Sequence, residues 1–352
     1  MSAQVYIPNG TAALHRVFNK QGQPIDGKGV IPQQDLIALE TLNLNVSAPV
    51  AEKELGFYET GIKSIDLLAP IPYGGIYNLI GPLGLGKLVI VEELIHNLVT
   101  RKHGFTVAVT MGETSYEATN LGTSIVEIHT QAQTAVIFEP QSEKPEVSLQ
   151  LIQVGLGVAR QLRSQGHEVL LLIDEQVTKY ARALHLPGLA AAVRAAGITT
   201  LLLNQDEEEG QAADGQIVMS RPLAEQRLYP AVDRQLSTST LLQSNITDLE
   251  HQHTAQQVRA LLQQAAALQQ QTTHSPQDLQ LLHRATRLNL FLTQPFFVAE
   301  TFSGIPGEYL SLAETLSSIQ GLLSGRYDSL PEATFSFVGA IDQVVAKNQI
   351  IQ

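Results

Sequence analysis

The sequence contains no cysteine, and basic residues are outnumbered by acidic ones. Without cysteine, the chain can form neither a disulfide nor a thiolate metal site. The 22 lysines and arginines stand against 34 aspartates and glutamates, which gives a formal net charge of −12. Because contacts with nucleic-acid phosphates require a basic face, this balance argues against nucleic acid as the main partner.

Long hydrophobic runs are also missing, since no apolar stretch reaches the roughly 20 residues that span a bilayer. The N-terminal residues 1–6 lack the basic-then-apolar layout of a secretory signal. We therefore expect a cytoplasmic protein without direct membrane insertion, peripheral to a membrane only through a partner complex. The 352 residues, 44% of them hydrophobic and 16% charged, are enough for a globular protein with a substantial core.

A glycine-rich segment, GPLGLGKL at residues 81–88, matches a phosphate-binding loop in all but its last position. The full pattern is G-x-x-x-x-G-K followed by serine or threonine. Gly81, Gly84 and Gly86 allow the backbone to turn its N–H groups toward a phosphate. Lys87 adds positive charge for the terminal phosphates. The segment predicts that the chain binds a nucleotide such as ATP or ADP.

Leu88 stands where the pattern requires the hydroxyl that ligates Mg²⁺. We therefore expect Mg²⁺ binding to be weakened and hydrolysis to be weak or absent. The flanking sequence has the order that the motif needs, because residues 75–80 are typical of a buried strand and residues 88–99 of a helix. A helix N-terminus at the loop also favours an anion. The alternative is a glycine-rich turn with a structural role only.

Further along, short apolar runs alternate with amphipathic helical patterns. We predict strands at residues 105–110, 134–138, 168–173 and 199–203, with a helix such as 149–162 between them. Continuous apolar strands separated by helices predict a parallel sheet that is covered on both faces.

After about Ser244 the strand patterns stop, and helical patterns follow at residues 276–291 and around 310–323. The predicted fold class is therefore α/β: a nucleotide-binding domain with a parallel sheet, residues 1–244, followed by an all-helical C-terminal domain, residues 245–352.

Three carboxylates are candidates for chemistry at the loop. Asp174 follows the buried run at residues 170–173 and could hold a Mg²⁺-bound water near the phosphates, although an aspartate there often only caps a helix. Glu113 could polarise an attacking water. Its alternative role is an N-terminal helix charge that the helix dipole stabilises. Glu175 is a second, weaker candidate for the base.

Several sequence blocks along the chain follow one another in the order of a known family: residues 18–19, 22–26, 59–70, 229–233, 237–239, 294–296, 299–302, 330–332 and 345–347. Together they give the chain a wider resemblance to the β subunit of F-type ATP synthases. The resemblance implies a RecA-like nucleotide-binding domain.

The resemblance also assigns roles to residues by position. It implies that Lys87 is the phosphate lysine, Asp174 the metal-site aspartate and Glu113 the catalytic carboxylate. It further implies an adenine pocket of three aromatic rings, since stacking on a purine needs no base-specific hydrogen bond. These rings are Tyr229, Phe296 and Phe302, whose alternative role is in the core.

The sequence also departs from the family pattern. Leu88 replaces a threonine, and Thr114 and Thr178 replace two arginines that would neutralise phosphate charge. Losing such charge stabilisation can slow turnover by orders of magnitude. The rotor-facing acidic loop has lost most of its charge at residues 272–278, and the interval 180–219 is too short to align. The family's N-terminal β-barrel also has no counterpart here, so we expect a role other than that of a standard rotary subunit.

Three hypotheses follow from these observations. The first is a diverged β-like subunit that binds ATP or ADP beside α-type or β-type ATP synthase subunits, as a ring or accessory member with little hydrolysis. The second is an active ATPase that neighbouring subunits complete. The third is a scaffold that binds no nucleotide.

Overall fold

The structure is a computed structural model, and it divides into two compact units. It describes residues 4–40, 56–112, 131–181, 187–206, 213–244 and 246–351. The first unit comprises residues 1–56 and 72–216, and the second comprises residues 57–71 and 217–352. The chain therefore passes between the units three times.

The strands and helices follow one another along the chain as follows. The strands are β1 (Tyr6–Pro8), β2 (Arg16–Phe18), β3 (Leu36–Ala38), β4 (Phe57–Tyr58), β5 (Ile71–Pro72), β6 (Ile76–Ile80), β7 (Phe105–Gly112), β8 (Thr134–Pro140), β9 (Val169–Ile173), β10 (Thr199–Asn204), β11 (Gly215–Val218) and β12 (Thr238–Ser239). The helices are α1 (Lys63–Leu68), α2 (Lys87–Lys102), α3 (Pro145–Ser164), α4 (Glu175–Ala181), α5 (Pro187–Ala196), α6 (Arg221–Glu225), α7 (Leu249–Leu268), α8 (Pro276–Phe291), α9 (Glu300–Ser303), α10 (Leu312–Leu323) and α11 (Ile341–Ile351).

The first unit is built on a parallel sheet. Six of its strands lie side by side in the order β6–β10–β9–β7–β8–β2, and each neighbouring pair is parallel. The five strands from β6 to β10 were predicted, and the α/β fold class is confirmed. The edge strand β2 and the antiparallel pair β1–β3 were not predicted, because three-residue strands leave little periodicity in a sequence.

Helix α3 covers the middle of this sheet with an almost wholly apolar face. Its buried side chains include Leu151, Leu156 and Leu162. At Gly155 the helix approaches β7 so closely that an added Cβ would lie 2.3 Å from Val109 Cγ2. The small residue therefore sets the spacing between helix and sheet, since close-packed protein interiors leave little room for an added methyl group.

In the second unit, helices α7, α8 and α10 pack around a separate apolar core. Leu288, Phe291, Ile319 and Phe335 lie at its centre, together with Leu68 from the short segment 57–71. Helix α8 has the bounds that the sequence predicted. It begins with a capping box, in which Ser275 Oγ accepts from the Asp278 N–H and the Asp278 carboxylate accepts from the Ser275 N–H.

The segment 57–71 is held in the second unit by a buried lysine. Lys63 is fully buried, and its Nζ donates to the carbonyl oxygens of Val338 at 2.7 Å and Gly339 at 3.2 Å. The same ammonium lies 4.2 Å from the centroid of the Phe291 ring. Burial lowers the pKa of Lys63 well below its usual value. This lysine therefore ties the segment to residues from the far end of the sequence.

Beyond β12, the described residues contain helices and no further strand, as the sequence predicted. The domain boundary at residue 244 itself stays a prediction. Within the described ranges, no helix has both the length and the apolar character that a membrane crossing requires.

Candidate functional site

The glycine-rich loop joins the end of β6, at Ile80, to the start of α2, at Lys87. Gly84 and Gly86 have φ angles of 87° and 88°, in the left-handed region that favours glycine. Gly86 is the residue that precedes the helix, so the loop turns directly into the N-terminus of α2. Free backbone N–H groups and the helix dipole make such a terminus favourable for an anion.

Lys87 opens the helix with a buried ammonium. The residue is 2% exposed, and its Nζ lies 2.7 Å from Glu175 Oε2 and 3.1 Å from the carbonyl oxygen of Asn204. The same carbonyl accepts a hydrogen bond from the Gly81 N–H at 3.1 Å. Asn204, at the end of β10, therefore connects the first residue of the loop with the lysine at its far end.

Asp174 follows β9 and is held by two hydrogen bonds. Thr110 Oγ1, from β7, donates to Asp174 Oδ2 at 2.6 Å, and the Glu175 N–H donates to Asp174 Oδ1 at 2.7 Å. Burial, the largest influence, raises the pKa of Asp174 to about 6, and the charge of Glu175 also raises it. The Thr110 hydroxyl and the charge of Lys87 act against that rise. Both carboxylate oxygens thus already have protein donors.

Glu175 is the first residue of α4, and both of its side-chain oxygens have partners as well. Oε2 meets Lys87, and Oε1 accepts from Gln205 Nε2 at 2.9 Å. Thr178 lies one turn further along α4. Its hydroxyl donates to the carbonyl oxygens of Glu175 at 3.0 Å and Leu203 at 2.9 Å. At a position where the family resemblance places an arginine, Thr178 therefore hydrogen-bonds to backbone carbonyl oxygens.

The residues present do not fit a Mg²⁺ site of the usual kind in phosphate-binding loops. That kind of site takes a hydroxyl from the residue after the lysine and a carboxylate from the end of a strand. Leu88 has no hydroxyl, and the oxygens of Asp174 and Glu175 are engaged by protein donors. In the described part of the chain, no three histidine, aspartate or glutamate side chains are grouped so that they could hold a metal ion.

The remaining predicted site residues fall into two groups. Glu113 and Thr114 fall outside the described residues. The three aromatic residues belong to the second unit, and they differ in exposure: Phe296 is buried at 6%, Tyr229 is 39% exposed and Phe302 is 91% exposed. Their role in an adenine pocket stays a prediction.

Sequence reasoning missed three polar residues that complete this cluster: Thr110, Asn204 and Gln205. Each lies in or just after a buried strand of the parallel sheet. Their positions in the sequence could have indicated them, because the carboxyl ends of parallel strands meet at one edge of the sheet and ligands bind there. The prediction of the candidate site should therefore have included, beside Asp174, the polar residues at the ends of the other predicted strands.

The fold and this cluster define a P-loop nucleotide-binding unit on a parallel sheet. Residues 61–193 match the family model of the ATP synthase alpha/beta family, nucleotide-binding domain. The match includes the glycine-rich loop, Asp174 and Glu175, so this part of the chain is similar to the nucleotide-binding domain of that family. Proteins of this family generally bind their nucleotides with Mg²⁺, which makes the composition of this site informative.

Proposed function

We propose that the chain binds ADP or ATP at the loop of residues 81–88 and turns it over slowly or not at all. One observation carries the proposal: Lys87 and the N-terminus of α2 retain the anion-binding arrangement, while Leu88 offers no metal ligand. Nucleotide binding needs backbone amides and an ammonium group, whereas phosphoryl transfer also needs a metal and stabilisation of the developing charge.

The remaining parts of the proposal come from the family resemblance. Tyr229, Phe296 and Phe302 would stack on the adenine, and Glu113 would stand where the family has its catalytic carboxylate. Asp174 would stand where the family has its metal-site aspartate, with both of its carboxylate oxygens already hydrogen-bonded to protein donors. The partners would be ATP synthase-type α or β subunits. This chain would be a ring or accessory member, peripheral to a membrane through the partner complex.

A binding experiment with the full chain tests the proposal. Calorimetric titration with ADP and ATP should give measurable affinity, and Lys87→Met should weaken it by about 10-fold or more, because the phosphates lose their cation. Lys144→Met removes the same charge from an exposed position in the same unit and should leave the affinity unchanged. Thermal unfolding of each variant would establish that it is folded.

Hydrolysis distinguishes the main proposal from an active ATPase. Phosphate release in excess Mg²⁺ should stay close to the rate without protein. Robust turnover that Glu113→Gln or Glu175→Gln abolishes would instead establish an active enzyme. If neither nucleotide shifts the unfolding temperature or gives heat at millimolar concentration, the site binds no nucleotide and a scaffold role would replace the proposal.

A further inference from the structure

The ammonium of Lys87 points at a carboxylate of the protein itself. Its Nζ lies 2.7 Å from Glu175 Oε2, and the two side chains are only 2% and 11% exposed. In a phosphate-binding loop, the backbone N–H groups hold the α- and β-phosphates, and the lysine reaches the β- and γ-phosphates. Glu175 Oε2 therefore stands where an oxygen of the terminal phosphate of a triphosphate would meet the lysine.

A second carboxylate adds to the negative charge at this point. Asp174 immediately precedes Glu175, and both residues are 9% exposed. Charges that are shielded from water interact more strongly than charges on the surface. The usual shield between such carboxylates and a γ-phosphate is Mg²⁺, for which Leu88 provides no ligand. The end of β9 is therefore electrostatically unfavourable for a third phosphate.

The interaction with Gln205 keeps Glu175 in this position. Gln205 Nε2 donates to Oε1 at 2.9 Å, while Oε2 faces the lysine. The carboxylate is thus held from two sides, and a ligand that needs Lys87 must displace it against both interactions. A diphosphate, which is held mainly by the backbone amides of the loop and offers the lysine only its β-phosphate, meets less of this competition than a triphosphate.

We infer that Glu175 is a specificity-determining residue that makes this site prefer a nucleoside diphosphate to a nucleoside triphosphate. The inference rests on the proposed function, since it concerns the ligand of the same loop. The β-phosphate of a diphosphate is held by the loop and the N-terminus of α2. The γ-phosphate of a triphosphate must enter the space that the Glu175 carboxylate occupies.

The test compares the affinities of the full-length protein and its Glu175→Gln variant for ADP and ATP. Titrations in EDTA exclude both hydrolysis and bridging by a metal. Glutamine keeps the shape of the side chain and an oxygen for Lys87 but removes the charge. We expect the wild type to bind ADP about tenfold more tightly than ATP, and the variant to gain about tenfold for ATP while its ADP affinity changes by less than about threefold.

Glu143→Gln is the matched control, because it removes the same charge from an exposed position in the same unit. It should leave the ratio of the two affinities as it is in the wild type. Equal gains for ADP and ATP in Glu175→Gln, or no gain for either, would overturn the inference while nucleotide binding itself stands. Absence of binding by the wild type and both variants would overturn the proposed function as well.

A second measurement needs no variant and covers the case in which Glu175→Gln fails to fold. In the wild type, the preference for ADP should narrow when excess Mg²⁺ replaces EDTA, because the metal travels with ATP and neutralises part of the γ-phosphate charge. A wild type that binds ATP as tightly as ADP in EDTA would contradict the inference directly.

Discussion

At the scale of single residues, the site combines an intact cation with a missing metal ligand. Lys87 and Leu88 are neighbours at the start of α2, yet they bear on different steps. The ammonium contributes to binding any phosphate, whereas a hydroxyl after it contributes only through Mg²⁺. Phosphate binding and Mg²⁺ binding can therefore be lost separately, and a single substitution at Leu88 tests the contribution of the hydroxyl.

Leu88→Thr should make ATP binding depend more strongly on Mg²⁺ than it does in the wild type. The new hydroxyl would lie at the start of α2, where Mg²⁺ can bind between it, the phosphates and water. We expect the ratio of ATP affinities with Mg²⁺ and with EDTA to rise by about tenfold, which corresponds to one additional ligand worth about 1.4 kcal/mol. Valine has nearly the same shape as threonine but no hydroxyl. A similar rise in Leu88→Val would therefore contradict this reasoning.

Asp26 offers a prediction about stability and pH. Burial alone would raise the pKa of Asp26, but hydrogen bonds from Arg16 and from the N–H groups of Lys28 and Val17 outweigh it and lower the pKa to about 2. A lowered pKa in the folded state stabilises the protein above the unfolded value of about 3.9, and this stability is lost as the pH falls toward 2.

Asp26→Asn should therefore reduce the free energy of unfolding by about 1 kcal/mol at pH 7, after allowance for solvent screening of the pair. The difference from the wild type should shrink when the urea titration is repeated at pH 3. Asp35→Asn removes the same charge from the same unit and serves as the control. A deficit that is equally large at both pH values would show that Asp26 acts through packing and not through its charge.

The residues around the phosphate-binding loop also show what sequence can and cannot provide. Lys87, Asp174 and Glu175 could be proposed from the sequence because a motif, or a position after a predicted strand, indicated where each of them lies in the fold. The Glu175–Lys87 and Gln205–Glu175 contacts were not predicted, since they depend on the strand order β6–β10–β9 in the sheet. Strand order is a long-range property that local periodicity does not contain.

At the scale of elements, hydrophobic pattern predicted the long elements, which are strands β6 to β10 and helices such as α2, α3, α8 and α10. Strands β6 to β10 are largely apolar runs, and α8 begins with a serine cap followed by a proline, so local signals were strong. The edge strand β2 was missed because its three residues pair with β8 on one side only within this sheet order. The strand conformation of these residues depends more on their pairing with β8 than on their own sequence.

The contact between α3 and β7 leads to a prediction at this scale. Gly155→Ala should destabilise the first unit by about 1–3 kcal/mol, because the new methyl group would lie 2.3 Å from Val109 Cγ2 and push helix and sheet apart. Gln150→Ala changes an exposed position on the same helix and should cost far less. Urea unfolding of both variants measures the difference, and equal stabilities would show that the helix can shift without penalty.

At the scale of the whole molecule, the segment 57–71 belongs to the second unit although both of its flanks belong to the first. Lys63, Ile65 and Leu68 of this segment are completely buried, and Lys63 hydrogen-bonds to carbonyls near residue 339. A fragment that ends at residue 216 would therefore retain the segment and lose what buries it.

We expect the fragment 1–216 to aggregate when expressed alone, because it exposes apolar side chains and a lysine that is buried in the full chain. Replacing residues 57–71 with a glycine–serine linker of equal length should increase the share of the fragment that stays in the supernatant after centrifugation. If the two fragments behave identically, the segment contributes nothing to the aggregation.

The three passages of the chain between the units also determine what happens when the folded protein is cleaved. A protease site introduced between residues 216 and 217 would break only one of the three passages, and the earlier piece would still have residues 57–71 embedded among the later helices. The two fragments should elute together on gel filtration and come apart only in denaturant. Cleavage of the backbone after residue 216 would thus leave a non-covalent complex of two fragments, held together by Lys63 and a few apolar side chains of the segment 57–71.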